Sequence, residues 1–297
     1  MNIQWYPGHM TKAKRAMTED LRMVSLVIEL ADARAPYGSR NPDIDRMAAG
    51  KDRLILLNKA DLADPKANEV WAKWYESRGI RAVLTDSRQM KDIRRLKALI
   101  QEVSAAKIAR DRARGIKNRP VRAMVCGIPN VGKSTFINSI SGRTAAKTGN
   151  KPGVTRADQW IKLDKTLELL DTPGILWPKF DDRNVSVHLA LLGSISDDVL
   201  PVGELALTLI SFMTEHYPEQ FEAYLKLRKE LPGEPLAILE EAGRARGCIK
   251  TGGLIDYDRI SQMLLTDLRN GRMGRITLEC PEAEEEHGDS EDASCGN

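Results

Sequence analysis

The sequence predicts an α/β domain built on a mostly parallel sheet, followed by a small, mainly helical domain. Up to about residue 175, short apolar runs alternate with longer segments that are compatible with helices. After about residue 180, apolar residues recur at helical spacing between prolines and glycines. Strand–helix alternation is typical of a parallel sheet with helices on both faces, and helical apolar spacing is typical of packed helices.

Short apolar runs are the predicted strands of the α/β domain. Five of them are residues 26–30, 54–57, 82–84, 122–126 and 167–170, and a sixth candidate is residues 160–163. Segments with apolar residues at helical spacing lie between these runs, at residues 67–78, 92–109 and 133–141. We expect a surface connection at residues 109–120, because this segment is strongly basic and contains Gly and Pro.

Four helices are predicted in the second domain. They cover residues 203–216, 219–229, 236–246 and 256–269. Prolines and a Gly-Gly pair separate them, and neither residue type continues a helix readily. The predicted organisation is therefore an α/β domain at residues 1–180, a helical domain at 181–278, and an acidic tail at 279–297 that we expect to be disordered.

Charge is distributed unevenly along the chain. The sequence has 45 Lys and Arg residues, 42 Asp and Glu residues, and a net charge of +3. Eight of the acids lie in residues 279–297, which contain no Lys or Arg, so residues 1–278 carry 45 basic and 34 acidic side chains, a net charge of +11. A basic body of this kind favours an anionic partner such as nucleic acid.

Several classes of protein are excluded by composition. No apolar run reaches the ~18 residues of a transmembrane helix, and the start of the chain has neither a signal-peptide nor a transit-peptide pattern. The cysteines lack the spacing of zinc ligands, which argues against a disulfide framework or a structural zinc site. We therefore expect a cytoplasmic protein with no membrane association, and we also expect it to be monomeric. The cysteines are Cys126, Cys248, Cys280 and Cys295.

A glycine-rich loop follows the predicted strand at residues 122–126. Residues 127–134, Gly-Ile-Pro-Asn-Val-Gly-Lys-Ser, match the pattern GxxxxGK[ST] and open a predicted helix. In such a loop the backbone N–H groups surround the phosphates, Lys133 reaches the β and γ oxygens, and the Ser134 hydroxyl binds Mg²⁺. The expected phosphate-binding residues are Gly127, Asn130, Val131, Gly132, Lys133, Ser134 and Thr135.

Two weaker motifs indicate that this loop binds a nucleoside triphosphate. Asp171-Thr-Pro-Gly174 follows an apolar run, so Asp171 is a candidate for the Mg²⁺ shell and the Gly174 N–H for a γ-phosphate contact. The second motif, Lys151-Pro-Gly-Val-Thr155, lies between the phosphate loop and DTPG, and its Thr155 hydroxyl could join the Mg²⁺ only when the γ-phosphate is present. We therefore count Lys133 and Thr155 among the catalytic candidates.

The nucleotide base is indicated by Asn58-Lys59-Ala60-Asp61, which follows the run at residues 54–57. A carboxylate at Asp61 can accept hydrogen bonds from both the N1–H and the 2-amino group of guanine, whereas adenine lacks that donor pair. Asn58 can bond the purine edge and tie loops together, and the Lys59 stem can cover the ring. These residues predict selectivity for guanine and argue against a P-loop ATPase.

The order of these motifs resembles that of the circularly permuted GTPases, because NKAD precedes the phosphate loop instead of following it. The sequences WYPGHM at residues 5–10, DARAP at 32–36, GIPNVGKST and DTPGILWPKF, together with residues 251–279, resemble the ribosome biogenesis GTPase A family. This resemblance covers residues 1–279. It implies a circularly permuted P-loop GTPase domain in a bacterial cytoplasmic protein that binds the maturing large ribosomal subunit and assists a late assembly step.

The resemblance also suggests further candidate residues. The Ser-Ala pair that usually supplies a backbone contact to guanine would fall near residues 85–87, where this sequence departs from the family pattern and only Ser87 is in place. Ile175 stands where many GTPases have a water-orienting Gln, which predicts slow intrinsic hydrolysis and stimulation by a partner. Two replacements stay open: an imidazole from His9, or a K⁺ ion held by Asn130. The alternatives are a His that is only packed or exposed, and a turn-favouring Asn.

Basic residues form three clusters outside the nucleotide motifs. A single cluster is more often a solvated face, but three in a body of net charge +11 favour salt-dependent binding to structured ribosomal RNA. The clusters are Lys12, Lys14, Arg15 and Arg22; Arg110, Arg112, Arg114, Lys117 and Arg119; and Arg244, Arg246, Lys250, Arg259, Arg269, Arg272 and Arg275.

Two hypotheses of function compete. The first is a GTP-hydrolysing switch for large-subunit assembly; the second is an RNA-binding scaffold whose GTP only stabilises its fold. Permuted GTPases that act on the small subunit are disfavoured, because zinc-spaced Cys and His and a β-rich N-terminal extension are missing from this sequence. The acidic tail is interpreted as a dispensable extension or as a competitor of RNA for the basic surface.

Overall fold

The computed structural model describes residues 9–116, 119–144, 146, 158–174, 176, 183–227 and 231–281, and for residues 9–14, 90 and 183 the backbone alone. The strands are β1 Leu26–Asp32, β2 Asp52–Asn58, β3 Ala82–Leu84, β4 Val121–Gly127, β5 Gln159–Lys162 and β6 Leu167–Asp171. The helices of the first part are α1 His9–Met23, α2 Pro42–Met47, α3 Pro65–Ser77, α4 Met90–Val103, α5 Ala105–Ala113 and α6 Lys133–Ser141. The later helices are α7 Arg183–Leu191, a 3-10 turn Asp197–Val199, α8 Val202–His216, α9 Pro218–Leu225, α10 Pro235–Ala245 and α11 Tyr257–Arg269.

The strands form one sheet with the order β3-β2-β1-β4-β6-β5. All neighbouring pairs are parallel except β5–β6, which is antiparallel at the edge. Every residue of the central strand β1 is buried, as expected for a strand with helices on both faces. The predicted mostly parallel α/β sheet is confirmed, and the carboxyl ends of its five parallel strands meet at one edge.

A single apolar cluster joins the sheet to the later helices. It includes Leu26 of β1 and Leu54 of β2, together with Leu209 of α8 and Leu264 of α11. Helix α8 is the central helix of this later part, since it packs against α7, α9, α10 and α11. The helical character predicted after residue 180 is present, and the boundary at residue 180 stays a proposal.

Several element predictions are corrected by the structure. The helix predicted at residues 92–109 is divided into α4 and α5 by a break at the buried Ser104. Helix α5 continues to Ala113, so the basic segment expected as a connection at residues 109–120 begins inside this helix. The elements predicted from the sequence also lacked α1, α2 and α7. The short α2 depends on an Asn41 cap and Pro42 at its first position, a local signal that its few apolar residues do not reveal.

Three cysteines lie in the part of the chain that is described. Cys126 and Cys248 are buried and Cys280 is exposed, and all three are free thiols, as predicted. Burial raises the pKa of the Cys126 thiol, so this group is an unreactive part of the core. Among the described residues, no helix combines the length and apolarity needed to cross a membrane.

Candidate functional site

The predicted nucleotide motifs converge at one edge of the sheet. Strand β1 ends at Asp32, β2 at Asn58, β4 at Gly127 and β6 at Asp171, and residues 85–87 follow β3. Motifs that are far apart in sequence therefore occupy neighbouring loops, because parallel strands present their carboxyl ends on the same side. Chain order does not affect this arrangement, which is why a permuted sequence can build the same site.

The phosphate loop has a backbone that requires its glycines. Gly127 has a φ of 144°, and a Cβ there would lie 2.3 Å from the Leu30 carbonyl oxygen. Gly132 has a φ of 97°, and its Cβ would lie 2.4 Å from the Asn58 side-chain nitrogen. The loop then enters α6 at Lys133, where the backbone N–H groups of the first turn and the helix dipole favour an anion.

Lys133 is buried within this loop. Its Nζ donates hydrogen bonds to the carbonyl oxygens of Gly127, at 3.0 Å, and Ile128, at 2.8 Å. Burial lowers the pKa of Lys133 to about 8, against the opposing charge of Asp171. The ammonium is therefore held in the loop by dipoles that phosphate oxygens can replace, and an anionic ligand would restore its full charge.

Asp171 is the acid that follows β6. Its side chain is buried, and its Oδ1 has no hydrogen-bond partner among the described residues. Burial raises the pKa of Asp171 to about 6, with Lys133 opposing the shift and Asp158 adding to it. A buried carboxylate oxygen without a donor fits the Mg²⁺ shell predicted for it, and Ser134 lies across the loop at the start of α6.

Gly174 closes the phosphate loop from the other side. A Cβ at Gly174 would lie 2.9 Å from both the Lys133 Nζ and the Pro129 backbone nitrogen. The DTPG segment thus packs directly on the phosphate loop, and only glycine leaves the space for this approach. Val131 is buried and Thr135 lies in the first turn of α6, so the remaining predicted phosphate-loop residues are contiguous with this site.

Asn58 ties together three loops of the site. Its Nδ2 donates to the Val131 carbonyl oxygen at 2.7 Å, in the phosphate loop. Its Oδ1 accepts from the Ser87 backbone N–H at 3.0 Å and from the Ser87 hydroxyl at 2.8 Å. The side-chain amide therefore links the β2, β3 and β4 loops, as the sequence suggested, and Ser87 is brought to the base side of the site.

Asp61, the acid predicted to read the base, follows β2 on the loop after Lys59. One carboxylate oxygen, Oδ2, pairs with Arg88 at 2.5 Å, and the other, Oδ1, is buried without a partner in the described structure. A carboxylate with an unsatisfied oxygen suits the donor pair of guanine. Arg88, which holds the second oxygen, was not found from the sequence, since an Arg on a predicted loop carries no distinguishing signal.

Lys59 adopts a left-handed backbone, with a φ of 59°. Its Nζ donates to the Asn130 carbonyl oxygen at 2.6 Å and to Asp32 at 2.8 Å. Asp32 in turn receives two bonds from the buried Arg34 guanidinium, each of 2.9 Å. Sequence reasoning quoted Asp32 and Arg34 as part of DARAP but assigned them no role.

The electrostatics of Asp32 are dominated by two cations. Burial acts to raise its pKa, but the charges and hydrogen bonds of Arg34 and Lys59 outweigh burial and hold the pKa below the usual value. Burial lowers the pKa of Lys59, and Asp32 partly offsets this effect. Asp32 thus remains ionised and fixes the Lys59 ammonium beside the phosphate loop.

Asn130 also has a left-handed backbone, with a φ of 64°. Its side-chain amide donates a hydrogen bond to the Gly193 carbonyl oxygen, just after α7. The residue proposed to hold K⁺ therefore also touches the helical part of the chain. The side chain of His9 lies outside the described residues, although its backbone begins α1, and Thr155 and Ile175 also lie outside them.

Comparisons with known proteins agree with this geometry. A family model described as 50S ribosome-binding GTPase matches residues 122–236. The chain is 44% identical to "Ribosome biogenesis GTPase A" of Priestia megaterium, over 96% of this chain and 99% of the relative. It is 32% identical to the Thermotoga maritima protein of the same name, over 94% of this chain and 95% of the relative.

Two solved structures have the same fold over almost the whole chain. The GDP-bound structure of TM YlqF has a TM-score of 0.64 and 27% identity, and covers 91% of this chain and 100% of its own. GNP-bound YlqF from T. maritima has a TM-score of 0.62 and 28% identity, and covers 91% of this chain and 99% of its own.

Proposed function

This chain belongs to the ribosome biogenesis GTPase A family and is a GTP-hydrolysing enzyme of ribosome biogenesis, and we propose that it is a molecular switch on the maturing large ribosomal subunit. In this proposal the protein assists a late assembly step, and the ribosomal particle stimulates a slow intrinsic hydrolysis. The observation that carries the proposal is that the phosphate loop, DTPG and NKAD meet at one edge of the sheet. The relative from Priestia megaterium matches 96% of this chain, so the likeness extends beyond these motifs.

The proposed nucleotide site assigns a task to each of its residues, of which Thr155 lies outside the described part of the chain. Asn58, Lys59 and Asp61 bind guanine, with Ser87 as a supporting backbone contact. Residues 127–135 surround the phosphates, and Lys133 neutralises the β and γ oxygens. Ser134, Asp171 and Thr155 would hold Mg²⁺, which when bound neutralises charge that develops on the transferred phosphoryl group. The Oδ1 atoms of Asp61 and Asp171 support these assignments, since neither has a hydrogen-bond partner among the described residues and each fits a bound ligand.

Hydrolysis requires a group that orients the attacking water. The apolar side chain of Ile175 cannot supply it, so another group must. We propose His9 for this role. If the substitution His9→Ala left partner-stimulated hydrolysis unchanged, His9 would not be the group that orients the water. The second proposal is K⁺ at Asn130, which would help to neutralise developing charge beside the phosphates. Equal hydrolysis rates in KCl and NaCl at the same ionic strength would exclude the cation.

The proposed macromolecular partner is ribosomal RNA, contacted mainly through phosphates. Exposed arginines support this proposal at both ends of the chain and in α5. Not every basic residue is available: Arg269 is engaged with Asp197 at 2.7 Å and with carbonyl oxygens at the end of α7. A cytoplasmic location, which the cysteine spacing favours, and a monomeric state complete the proposal.

Co-sedimentation with ribosomal particles tests the proposal directly. Mature large subunits, their precursors and small subunits would each be mixed with the protein and GTP, GDP or a non-hydrolysable GTP analogue. We expect binding to large-subunit precursors that depends on the γ-phosphate and weakens with salt. Equal binding in all nucleotide states, or preference for the small subunit, would contradict the proposal.

The scaffold hypothesis is separated from the switch by hydrolysis-deficient variants. Lys133→Ala removes phosphate neutralisation, and Thr155→Ala is designed to spare nucleotide binding. If the protein is a switch, Thr155→Ala should bind precursors but stall their maturation, and Lys133→Ala should also fail to complete assembly, whereas a scaffold should still complete assembly with hydrolysis abolished. Sedimentation profiles of cells that carry each variant as the sole copy would show which outcome occurs.

A further inference from the structure

The residues that follow α11 return to the α/β part of the molecule. Residues 275–279, which we call the C-terminal strap, lie against two of its loops. The Leu278 N–H donates to the Arg34 carbonyl oxygen at 2.7 Å, and the Glu279 carboxylate accepts from the Gly38 N–H at 2.9 Å. Glu279, assigned by its charge to the acidic tail, is thus an anchor of the strap on the loop after β1.

The other end of the strap contacts the loop that reads the base. Residues 60–64, which we call the base loop, follow Lys59 and include Asp61. Arg275 donates from Nε to the Ala63 carbonyl oxygen at 3.0 Å and from Nη2 to the Ala60 carbonyl oxygen at 3.2 Å. One guanidinium therefore bridges the two ends of the segment that holds the base-reading carboxylate.

Two further bonds complete this contact. The Ile276 N–H donates to the Leu62 carbonyl oxygen at 3.0 Å, and the Asp64 N–H donates to the Thr277 hydroxyl at 3.1 Å. The base loop thus satisfies much of its backbone through the strap, where a surface loop would ordinarily use water. Its conformation depends on a segment that is more than two hundred residues away in sequence.

A second connection reaches Lys59 from α11. The Arg34 Nη1 donates to the carbonyl oxygens of Leu268 and Arg269, each at 3.2 Å, at the C-terminal end of that helix. Carbonyls at this end carry the negative pole of the helix dipole and attract a cation. Since Arg34 holds Asp32 and Asp32 holds Lys59, the end of α11 is joined to the residue that is to cover the base.

We propose that the C-terminal strap and the end of α11 position the guanine-reading residues, with Arg275 and Arg34 as positioning residues for Asp61 and Lys59. This inference rests on the proposed nucleotide site. A base loop that is already ordered loses little freedom when the nucleotide binds, whereas a released loop must be ordered at that step. A partner that displaced the strap from the base loop would therefore weaken guanine binding.

The test compares GDP with inosine diphosphate on the Arg275→Ala variant. Inosine diphosphate lacks the 2-amino group of guanine and so keeps only one of the two bonds to Asp61. We expect the variant to lose about tenfold in GDP affinity and the ratio of GDP to inosine diphosphate affinity to fall about threefold, the scale of about one hydrogen bond partly lost. A general loss of structure would weaken both nucleotides equally, so the ratio isolates positioning.

Arg272→Ala is the matched control. Arg272 is also an exposed arginine after α11, but it pairs with Asp267 at 2.9 Å on the helical part. Its replacement should leave both affinities unchanged. Thr277→Val is a second strap variant that keeps side-chain volume and removes the acceptor for the Asp64 N–H, and it should lower the ratio in the same direction.

Asp61→Ala distinguishes a failure of the strap to position the base loop from a failure of Asp61 to read the base. If Asp61→Ala lowers the affinity ratio while Arg275→Ala and Thr277→Val leave it unchanged, the strap does not position the base loop and the inference is overturned, although the nucleotide site stands. If Asp61→Ala itself leaves the ratio unchanged, Asp61 does not read the base, and the inference fails together with the site.

Discussion

Single residues of the nucleotide site are held in states that cost stability. Lys59 and Asn130 have left-handed backbones that are unfavourable for side chains with a Cβ, and the buried Oδ1 of Asp171 has no hydrogen-bond donor among the described residues. Asp171 thereby keeps an oxygen available for a ligand, whereas the Lys59 ammonium and the Asn130 side-chain amide are bonded within the protein and brace the phosphate loop. The buried Glu29, farther from the nucleotide site, is instead paired with both Arg40 and Arg53.

Asp171 gives a prediction about pH. Its pKa of about 6 in the folded protein lies above the ordinary value of 3.8, so the folded state binds the extra proton and loses stability as pH rises from about 4 to about 6. We expect Asp171→Asn to stabilise the nucleotide-free protein at pH 7.5 by up to about 3 kcal/mol in the free energy of unfolding, and so to raise its melting temperature. Thermal unfolding at pH 7.5, 6 and 4.5 measures the effect.

The gain from Asp171→Asn should shrink toward pH 4, where the native carboxyl is already protonated. The same variant should lose Mg²⁺-dependent nucleotide binding. Unchanged melting at all pH values, or retained Mg²⁺ dependence, would contradict the interpretation of Asp171 as a metal-binding carboxylate that burial destabilises.

Individual elements differ in how much tertiary contact they need. Helix α6 begins and ends at glycines with positive φ, Gly132 and Gly142, but their surroundings are unlike. A Cβ at Gly132 would lie 2.4 Å from the Asn58 side chain, whereas nothing lies within 4 Å of one at Gly142. The first glycine is required by the site, and the second only by the local helix end.

The two ends of α6 therefore make a matched pair of substitutions. Gly132→Ala should displace Asn58 and abolish detectable nucleotide binding, with a stability loss well above the ~1 kcal/mol of a left-handed Ala. Gly142→Ala should cost about 1 kcal/mol and leave affinity intact. Equilibrium unfolding and nucleotide titration of both variants would show this contrast, and similar affinity losses in both would argue against it.

Helix α5 needs less tertiary contact than α6, because none of its residues is buried. The exposed cations Arg110, in its last turn, and Arg114, at its C-cap, lie one turn apart, and a short helix of this kind has little stability of its own. These properties suit a helix that is stabilised by an anionic partner.

We expect Arg110→Ala with Arg114→Ala to weaken association with large-subunit precursors and to lower the slope of log affinity against log salt by up to about 2, one unit for each phosphate contact. The control replaces Arg46 and Lys66, which are exposed cations on other elements. Binding measured between about 50 and 200 mM salt distinguishes the pairs. An equal change in slope for both pairs would mean that α5 is not a specific contact.

Across the molecule as a whole, the nucleotide site and the helical part share contacts on two sides. Asn130 reaches Gly193 from the phosphate loop, and the strap and Arg34 reach the base side. If a ligand bound at one of these sides changes the affinity for a second ligand at the other, the second changes the affinity for the first by the same factor. Binding of GTP and binding of the ribosomal particle are therefore expected to be coupled reciprocally.

Hydrogen exchange gives a prediction for this coupling. The Ile276 and Leu278 N–H groups donate to carbonyls of the α/β part, so they exchange only when the strap is released. GDP should slow their exchange severalfold, while amides in the middle of α10 should change little. If strap amides exchange equally fast with and without GDP, the strap is not linked to nucleotide binding.

Local patterns in the chain were enough to predict the α/β class, five strands and the nucleotide motifs. Apolar runs bounded by turns indicate the strands, and each residue type of the phosphate loop has a fixed physical task. The convergence of NKAD, the phosphate loop and DTPG was also predictable, because parallel strands place their carboxyl ends together whatever the chain order.

The residues that support that site became known only from the packing of distant segments. The Arg34 bonds to the end of α11 and the strap bonds to the base loop join residues more than two hundred positions apart, and a local pattern contains no information about such pairs. The same limit hid the role of Asp32, which depends on Arg34 and Lys59 together. Motifs can be recognised in the chain, but the contacts that hold a motif in place arise only when distant segments pack.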